Sequence, residues 1–137
     1  MKKLNVLFLS MLTLATITSC SNDDEKSASL VGNWEITQEG ETLATLEAVE
    51  NEGGCGPTII QFSQGGTFSE NGSEYYDSEC NDYSDPGIWS KNDNTLTVKY
   101  NDNDETLSFE ILELTNSTLK IKEVDEEGTW FTVLKRK

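Results

Sequence analysis

The stretch TLTVKYNDNDETLSFEILELTNSTLKIKEV, residues 95–124, decides the fold because its apolar residues alternate with polar ones. Leu96, Val98 and Tyr100 fall on one side of an extended chain, and the residues between them are polar. A period of two is typical of β-strands with one buried and one solvated face. Segments rich in Asn, Asp, Ser or Gly separate the runs, at 91–94, 101–104, 115–117 and 126–128. Such segments form hairpin turns, so the pattern predicts an antiparallel meander.

The same reading extends along the rest of the chain. Within Glu105–Leu114 the adjacent Ile111 and Leu112 shift the apolar phase, which predicts a β-bulge near them. Upstream, the predicted strands are Leu30–Thr37, Thr58–Phe62, Thr67–Glu70, Glu74–Asp77 and Gly87–Ser90, with Thr42–Val49 as either a strand or a short helix. Eight to ten short strands without a long helix favour an all-β, antiparallel up-and-down barrel, which leaves no exposed edge.

All three tryptophans follow a glycine by two positions, as in Gly32-Asn33-Trp34. A Gly-x-Trp on the first strand resembles the lipocalin signature, in which Gly32 would let the strand bend and Trp34 would close the base of the barrel. The order of motifs across residues 30–137 is similar to that of the small lipocalin-like domain of Bacteroidetes lipoproteins. The segments that carry this similarity are 30–34, 61–68, 87–90, 94–98 and 112–119. The resemblance implies a lipocalin-like β-barrel domain over residues 30–137.

The chain begins with features of a secretory signal. Lys2 and Lys3 precede a short apolar run, and Ile17-Thr18-Ser19-Cys20 resembles a bacterial lipobox. We expect a signal peptide over residues 1–19, lipid attachment at Cys20 and a flexible acidic tether over residues 20–29. The alternatives are an ordinary signal peptide or a short uncleaved anchor.

The acids directly after Cys20 suggest where the domain faces. Asp23, Asp24 and Glu25 resemble the export tag of Bacteroidetes surface lipoproteins. They predict an outer-membrane lipoprotein that faces the cell surface, and a periplasmic orientation is the alternative.

Cys55 and Cys80 are the two thiols left once Cys20 carries lipid. In an oxidising compartment an even pair most simply forms a disulfide. Two separate buried thiols or a metal site are the alternatives, and the chain lacks both histidine and a Cys-x-x-Cys pair.

Composition restricts the chemistry. Without histidine, Ser-His-Asp and Cys-His catalysis are excluded. A glycan hydrolase would need two carboxylates in one cleft, whereas we expect the acids to lie in turns or on solvated strand faces. The acidic segments 77–85 and 101–105 do not match the twelve-residue calcium loop. We therefore predict no enzyme, no cofactor and no metal site.

The charge and the aromatic residues bear on partners. A formal net charge of −15 disfavours nucleic acid and anionic lipid headgroups. Four aromatic residues fall in the middle of the chain: Tyr75, Tyr76, Tyr83 and Trp89. We interpret them as candidate contacts for a ligand or a partner, and the alternative is that they cover the end of the barrel.

We expect a monomeric, lipid-anchored protein that binds a small apolar or amphipathic molecule in or at the mouth of the barrel. The alternative is a surface-interaction or structural lipoprotein that uses the barrel only as a scaffold. A lumen above about 300 Å³ would favour a ligand.

Overall fold

The computed structural model describes residues 28–102 and 104–137, and these residues form nine β-strands and one short 3-10 helix, Glu52–Gly54. The strands are β1 (Gly32–Gly40), β2 (Glu47–Ala48), β3 (Ile59–Phe62), β4 (Thr67–Tyr76), β5 (Glu79–Asn92), β6 (Thr95–Tyr100), β7 (Thr106–Leu114), β8 (Thr118–Val124) and β9 (Thr129–Arg136). No helix in the described ranges is long and apolar enough to cross a membrane.

The strands close into an eight-stranded antiparallel barrel. From β3 to β9 each strand pairs with the next, and β1 pairs with both β3 and β9. The two residues of β2 pair with Gln38 and Glu39 at the end of β1. The predicted all-β, up-and-down, lipocalin-like barrel is confirmed.

The barrel has two different ends, which we call the base and the mouth. The base carries the turns 63–66, 93–94 and 115–117 and the start of β1. The mouth carries the turns 77–78, 101–105 and 125–128 and the connection 41–58. This arrangement follows from the alternating direction of the strands.

Two bulges change which residues face the interior. In β7 the register shifts between Ile111 and Glu113, so Leu112 is the extra residue, as the adjacent apolar pair predicted. In β1 a second shift between Ile36 and Gln38 makes Thr37 the extra residue. Thr37 Oγ1 donates a hydrogen bond to the Val133 carbonyl at 3.0 Å. Nothing in the apolar pattern predicted this second bulge.

The middle of the chain is more regular than its sequence predicted. The expected short strands and the loop between them are wrong, because β4 and β5 form one long hairpin with ten consecutive cross-strand pairs. Its turn residues Asp77 and Ser78 have positive φ values of 52° and 68°, a conformation that suits tight hairpins. Both faces near the tip are exposed, so alternation is absent from the sequence there. Thr42–Val49 contains only the two residues of β2 as strand.

The base is closed by Trp34, which is fully buried. Its indole Nε1 donates to the Leu30 carbonyl at 2.8 Å, and the Arg136 guanidinium lies 4.2 Å from the ring centroid. Arg136 also donates to the carbonyls of Val31 and Asn116, at 2.9 and 2.8 Å, and to that of Ser29. Arg136 thus ties the residues before β1 to the β7–β8 turn.

Gly32 lies beside this cluster with a φ of 143°, and a side chain on it would collide with the Arg136 guanidinium. The position therefore favours glycine both for its backbone conformation and for the space around it.

The predicted signal peptide 1–19, the lipid site Cys20 and the acids Asp23, Asp24 and Glu25 lie outside the described residues. Of the predicted tether 20–29, only Ala28 and Ser29 are described.

Candidate functional site

The interior of the barrel contains a cavity of about 220 Å³ that opens at the mouth. Its lower part is apolar and is lined by Ile60, Phe62, Phe68, Leu96, Val98, Leu119 and Leu134. Phe68 packs edge-on against Tyr100, with ring centroids 5.3 Å apart. This lumen is smaller than the 300 Å³ set as the expectation for a ligand site. It has room for a small apolar group rather than for a bulky molecule.

Three carboxylates line the same lumen: Glu39 from β1, Glu70 from β4 and Glu123 from β8. The prediction that the acids lie in turns or on solvated faces is wrong for these residues. Glu70 continues the inward phase of Phe68, and Glu123 continues that of Ile121, so the sequence held a signal for both. Glu39 faces inward because the bulge at Thr37 reverses the alternation of β1.

Glu70 is held by two tyrosines. Tyr100 Oη donates to its Oε2 at 2.7 Å, and Tyr83 Oη donates to its Oε1 at 3.2 Å. Burial raises the pKa of both phenols, and the neighbouring Glu70 raises the pKa of each further. Thr58 Oγ1 lies 3.3 Å from Tyr83 Oη, and this hydrogen bond partly offsets the shift there. Both hydroxyls therefore keep their protons and fix the orientation of the carboxylate.

Glu39 and Glu123 carry charge into partly buried positions. Burial raises the pKa of Glu39, and the charge of Glu70 raises it further, while side-chain hydrogen bonds from Trp130 and Thr132 lower it. Burial also raises the pKa of Glu123, with smaller contributions from Asp125 and Glu105. Glu39 and Glu70 thus repel each other, whereas Glu123 is repelled by Asp125 and Glu105.

A shallower depression of about 400 Å³ adjoins the lumen at the mouth. Its lining residues are Glu70, Asp85, Pro86, Tyr100, Asp102, Glu105 and Leu107. Glu70 and Tyr100 line both spaces, so the apolar lumen and the polar depression meet at these two side chains. The combined shape suits a molecule with one apolar and one polar end.

The structure brings together three of the four aromatic residues that were predicted as contacts: Tyr75, Tyr76 and Tyr83 line a surface depression of about 440 Å³ beside the connection 41–58, and Trp89 does not. Tyr75 and Tyr76 lie near the tip of the β4–β5 hairpin, 45% and 76% exposed. Tyr83 reaches Glu70 at the mouth. Trp89 lies toward the base, where its Nε1 donates to the Ser63 carbonyl at 3.0 Å. Sequence reasoning missed Tyr100 and Trp130, which line the lumen.

Cys55 and Cys80 form the predicted disulfide, with their Cα atoms 5.5 Å apart. The bond joins the end of the 3-10 helix to the start of β5, where Cys80 pairs with Tyr75 across the hairpin. Gly53 of the 3-10 helix packs against the Tyr75 ring. The disulfide therefore fastens the connection 41–58 to the long hairpin.

Metal binding was also tested against the geometry. In the part of the chain that the structure describes, no three Asp, Glu or Cys side chains are close enough to hold a metal ion. The acids of the lumen and mouth are spread around the wall rather than gathered at one point.

A closed eight-stranded barrel with a Gly-x-Trp base and an inner lumen defines the lipocalin class. The family model described as a lipocalin-like domain matches residues 30–121. This chain belongs to that family, so the predicted lipocalin-like resemblance is confirmed.

Solved structures with the same fold include a lipocalin-like protein from Bacteroides uniformis, 18% identical, with a TM-score of 0.57 over 79% of this chain and 98% of the other. An uncharacterized protein from Bacteroides eggerthii is 12% identical, with a TM-score of 0.57 over 80% and 100% of the two chains. Japanin from Rhipicephalus appendiculatus, bound to cholesterol, is 15% identical, with a TM-score of 0.52 over 77% and 74%. No curated protein sequence matches.

Proposed function

We propose that this protein binds a small amphipathic molecule, with its apolar part in the lumen and its polar part at the mouth. The observation that carries the proposal is the continuity of the apolar lumen with the polar depression through Glu70 and Tyr100. Membership of the lipocalin-like family supports binding rather than catalysis. Japanin, which shares the fold, was solved with an apolar molecule bound.

The lumen limits the ligand. Its volume of about 220 Å³ lies below the roughly 300 to 1,000 Å³ of pockets that enclose a drug-sized molecule. We therefore expect a single ring or a short alkyl chain inside the barrel, with the remainder of the ligand in the depression.

The test is a fluorescence titration with the neutral probe N-phenyl-1-naphthylamine, together with native mass spectrometry of protein taken from the cell envelope. Ile121→Trp fills the lumen and should abolish probe binding. Val124→Trp, near the end of the same strand at a position 63% exposed, is the matched control and should bind as the wild type does. Circular dichroism shows whether both variants fold. Probe binding that survives Ile121→Trp, or is absent from the wild type, contradicts the proposal.

Two rival functions each have one observation in their favour. The narrow lumen favours a surface-interaction or structural role, and absence of probe binding would support it. Glu39 and Glu70 both line the lumen, which is one of the features that a glycan hydrolase needs. The test is whether the protein releases nitrophenol from a panel of nitrophenyl glycosides. Release by the wild type that is lost in Glu70→Gln would establish hydrolysis and contradict a purely binding role.

We also propose that Cys20 is lipidated and that the domain lies on the outer membrane, facing the cell surface. The lipobox-like Ile17–Cys20 segment supports this. Radioactive palmitate should label the wild type but not Cys20→Ala. Protease added to intact cells should cleave the domain, whereas cleavage only after lysis would indicate the periplasmic orientation.

A further inference from the structure

The charged residues that line the lumen and the adjoining depression are all acidic. Among the residues that line the two spaces there is no lysine and no arginine. Within the described ranges, lysines form four ion pairs with carboxylates, and none of these four acids lines either space: Lys99–Asp104, Lys120–Glu113, Lys122–Glu110 and Lys137–Glu35. None of these ion pairs compensates Glu39, Glu70 or Glu123.

Glu70 keeps the capacity to accept further hydrogen bonds. Each of its oxygens accepts one tyrosine hydroxyl, and a carboxylate oxygen has two lone pairs. The two tyrosines fix the carboxylate at the junction of the lumen and the depression. A donor group of a ligand whose apolar part fills the lumen would reach this junction.

A cation at this junction would relieve the repulsion between Glu39 and Glu70. Because the carboxylates do not converge on one point, the geometry suits an organic ammonium, whose N–H donors diverge, better than a metal ion. Tyr100 and Trp130 also line this part of the lumen, and aromatic faces attract ammonium groups.

We propose that the ligand is an amphipathic amine, with a short apolar body in the lumen and a protonated amino group that contacts Glu70 at the mouth. This inference rests on the proposed binding function and adds the chemical class of the ligand. It excludes anionic amphiphiles such as fatty acids as preferred ligands, because a carboxylate headgroup would meet like charge.

The experiment compares three ligands with the same alkyl chain and different headgroups: octylamine, octanol and octanoate. Each is titrated at pH 7 against the purified domain as a competitor of the neutral fluorescent probe. We expect octylamine to bind at least about tenfold more tightly than octanol, which corresponds to about 1.4 kcal/mol. Octanoate should bind most weakly.

Two variants locate the preference. Glu70→Gln should weaken octylamine binding by about tenfold and leave octanol within twofold. Glu110→Gln removes the same charge from the outer face of β7, where Glu110 pairs with Lys122. It should change the affinity for neither octylamine nor octanol. Both substitutions keep the size and shape of the side chain. Melting curves check that both variants are folded.

The outcomes separate the two proposals. Equal binding of octylamine and octanol overturns the amine inference and leaves the binding function in place. If Glu70→Gln and Glu110→Gln weaken octylamine binding equally, the preference for the amine comes from the overall charge of the protein. That result overturns the assignment of the amine site to Glu70. If none of the three ligands nor the probe binds, both proposals are wrong.

Discussion

The base and the mouth of this barrel are built by opposite rules. At the base, Trp34 is fully buried and its indole nitrogen and the Arg136 guanidinium both donate to backbone carbonyls. At the mouth, Glu39, Glu70 and Glu123 lie partly buried without a lysine or arginine among the residues that line the lumen. The base therefore stabilises the fold, while the carboxylates at the mouth lower stability and provide a site that another molecule can complete.

The mouth is also held together differently. Packing around Trp34 secures the base, whereas the Cys55–Cys80 bond fastens the connection 41–58 at the mouth to the β4–β5 hairpin. The contrast leads to four stability measurements, from the largest expected effect to the smallest.

Trp34→Ala should cause the largest loss of stability. Removing this fully buried ring leaves a cavity and withdraws the surface on which Arg136 stacks. Truncation of a buried aromatic residue costs about 3 to 5 kcal/mol. Urea unfolding followed by circular dichroism measures the change. A loss below about 1 kcal/mol would mean that the base is not the stabilising end.

Cys55→Ser should lower the stability by about 3 to 4 kcal/mol, because it frees a loop of 25 residues in the unfolded chain. We expect the melting temperature to fall by more than about 10 °C. The melting temperature of the double variant Cys55→Ser with Cys80→Ser should be no lower than that of the less stable single variant. Melting curves like the wild type's would show that packing alone holds the mouth.

Arg136→Lys should cost about 2 kcal/mol, the range for hydrogen bonds from a charged group, which is less than removal of the ring. Lysine retains the charge but not the planar fork that donates to three carbonyls while stacking on Trp34. Lys91→Arg, at an exposed position near the base end of β5, is the control and should be neutral. Equal stability of Arg136→Lys and the wild type would show that charge alone suffices at the base.

Glu39→Gln should raise the stability slightly, the opposite sign from the changes at the base. Burial and the charge of Glu70 raise the pKa of Glu39 in the folded protein, so the folded state binds this proton more tightly than the unfolded state does. Ionisation of Glu39 therefore lowers stability as the pH rises above the usual glutamate pKa of about 4.3.

At pH 7 the stabilisation should appear as a rise in melting temperature of about 2 to 4 °C. It should vanish near pH 3, where Glu39 of the wild type is protonated in both the folded and the unfolded state. The groups that face Glu39 are Glu70, Trp130 and Thr132. Melting curves at the two pH values measure the effect, with Glu110→Gln as the control. A variant less stable than the wild type at pH 7 would show that Glu39 supports the fold.

The same contrast explains what the sequence could predict. The base follows from local signals, since Gly32-Asn33-Trp34 and the alternation in 95–124 each specify a strand and its inward face. The disulfide followed from counting thiols. The bulge at Leu112 could be predicted because two adjacent apolar residues cannot both face inward on a regular strand.

The residues at the mouth were harder to predict, because their positions do not follow from the neighbouring sequence alone. Glu70 and Glu123 lie in the inward phase of their strands, but a charged residue there looks like a strand end. Glu39 could not be placed, since the bulge at Thr37 leaves no apolar mismatch in the sequence. Near its tip the β4–β5 hairpin is exposed on both faces and its strands are joined by polar side chains, so apolar alternation could not reveal its length. Arg136 acts through contacts about 105 residues away along the chain.

The position of Ser29 has a consequence for how any ligand arrives. Ser29 contacts Arg136 at the base, opposite the mouth. If Cys20 carries lipid, at most about 30 Å of chain separates the bilayer from the base. The tether then joins the barrel at its closed end, opposite its opening. An anchor at that end leaves the opening accessible to molecules that diffuse in water or are handed over by another macromolecule.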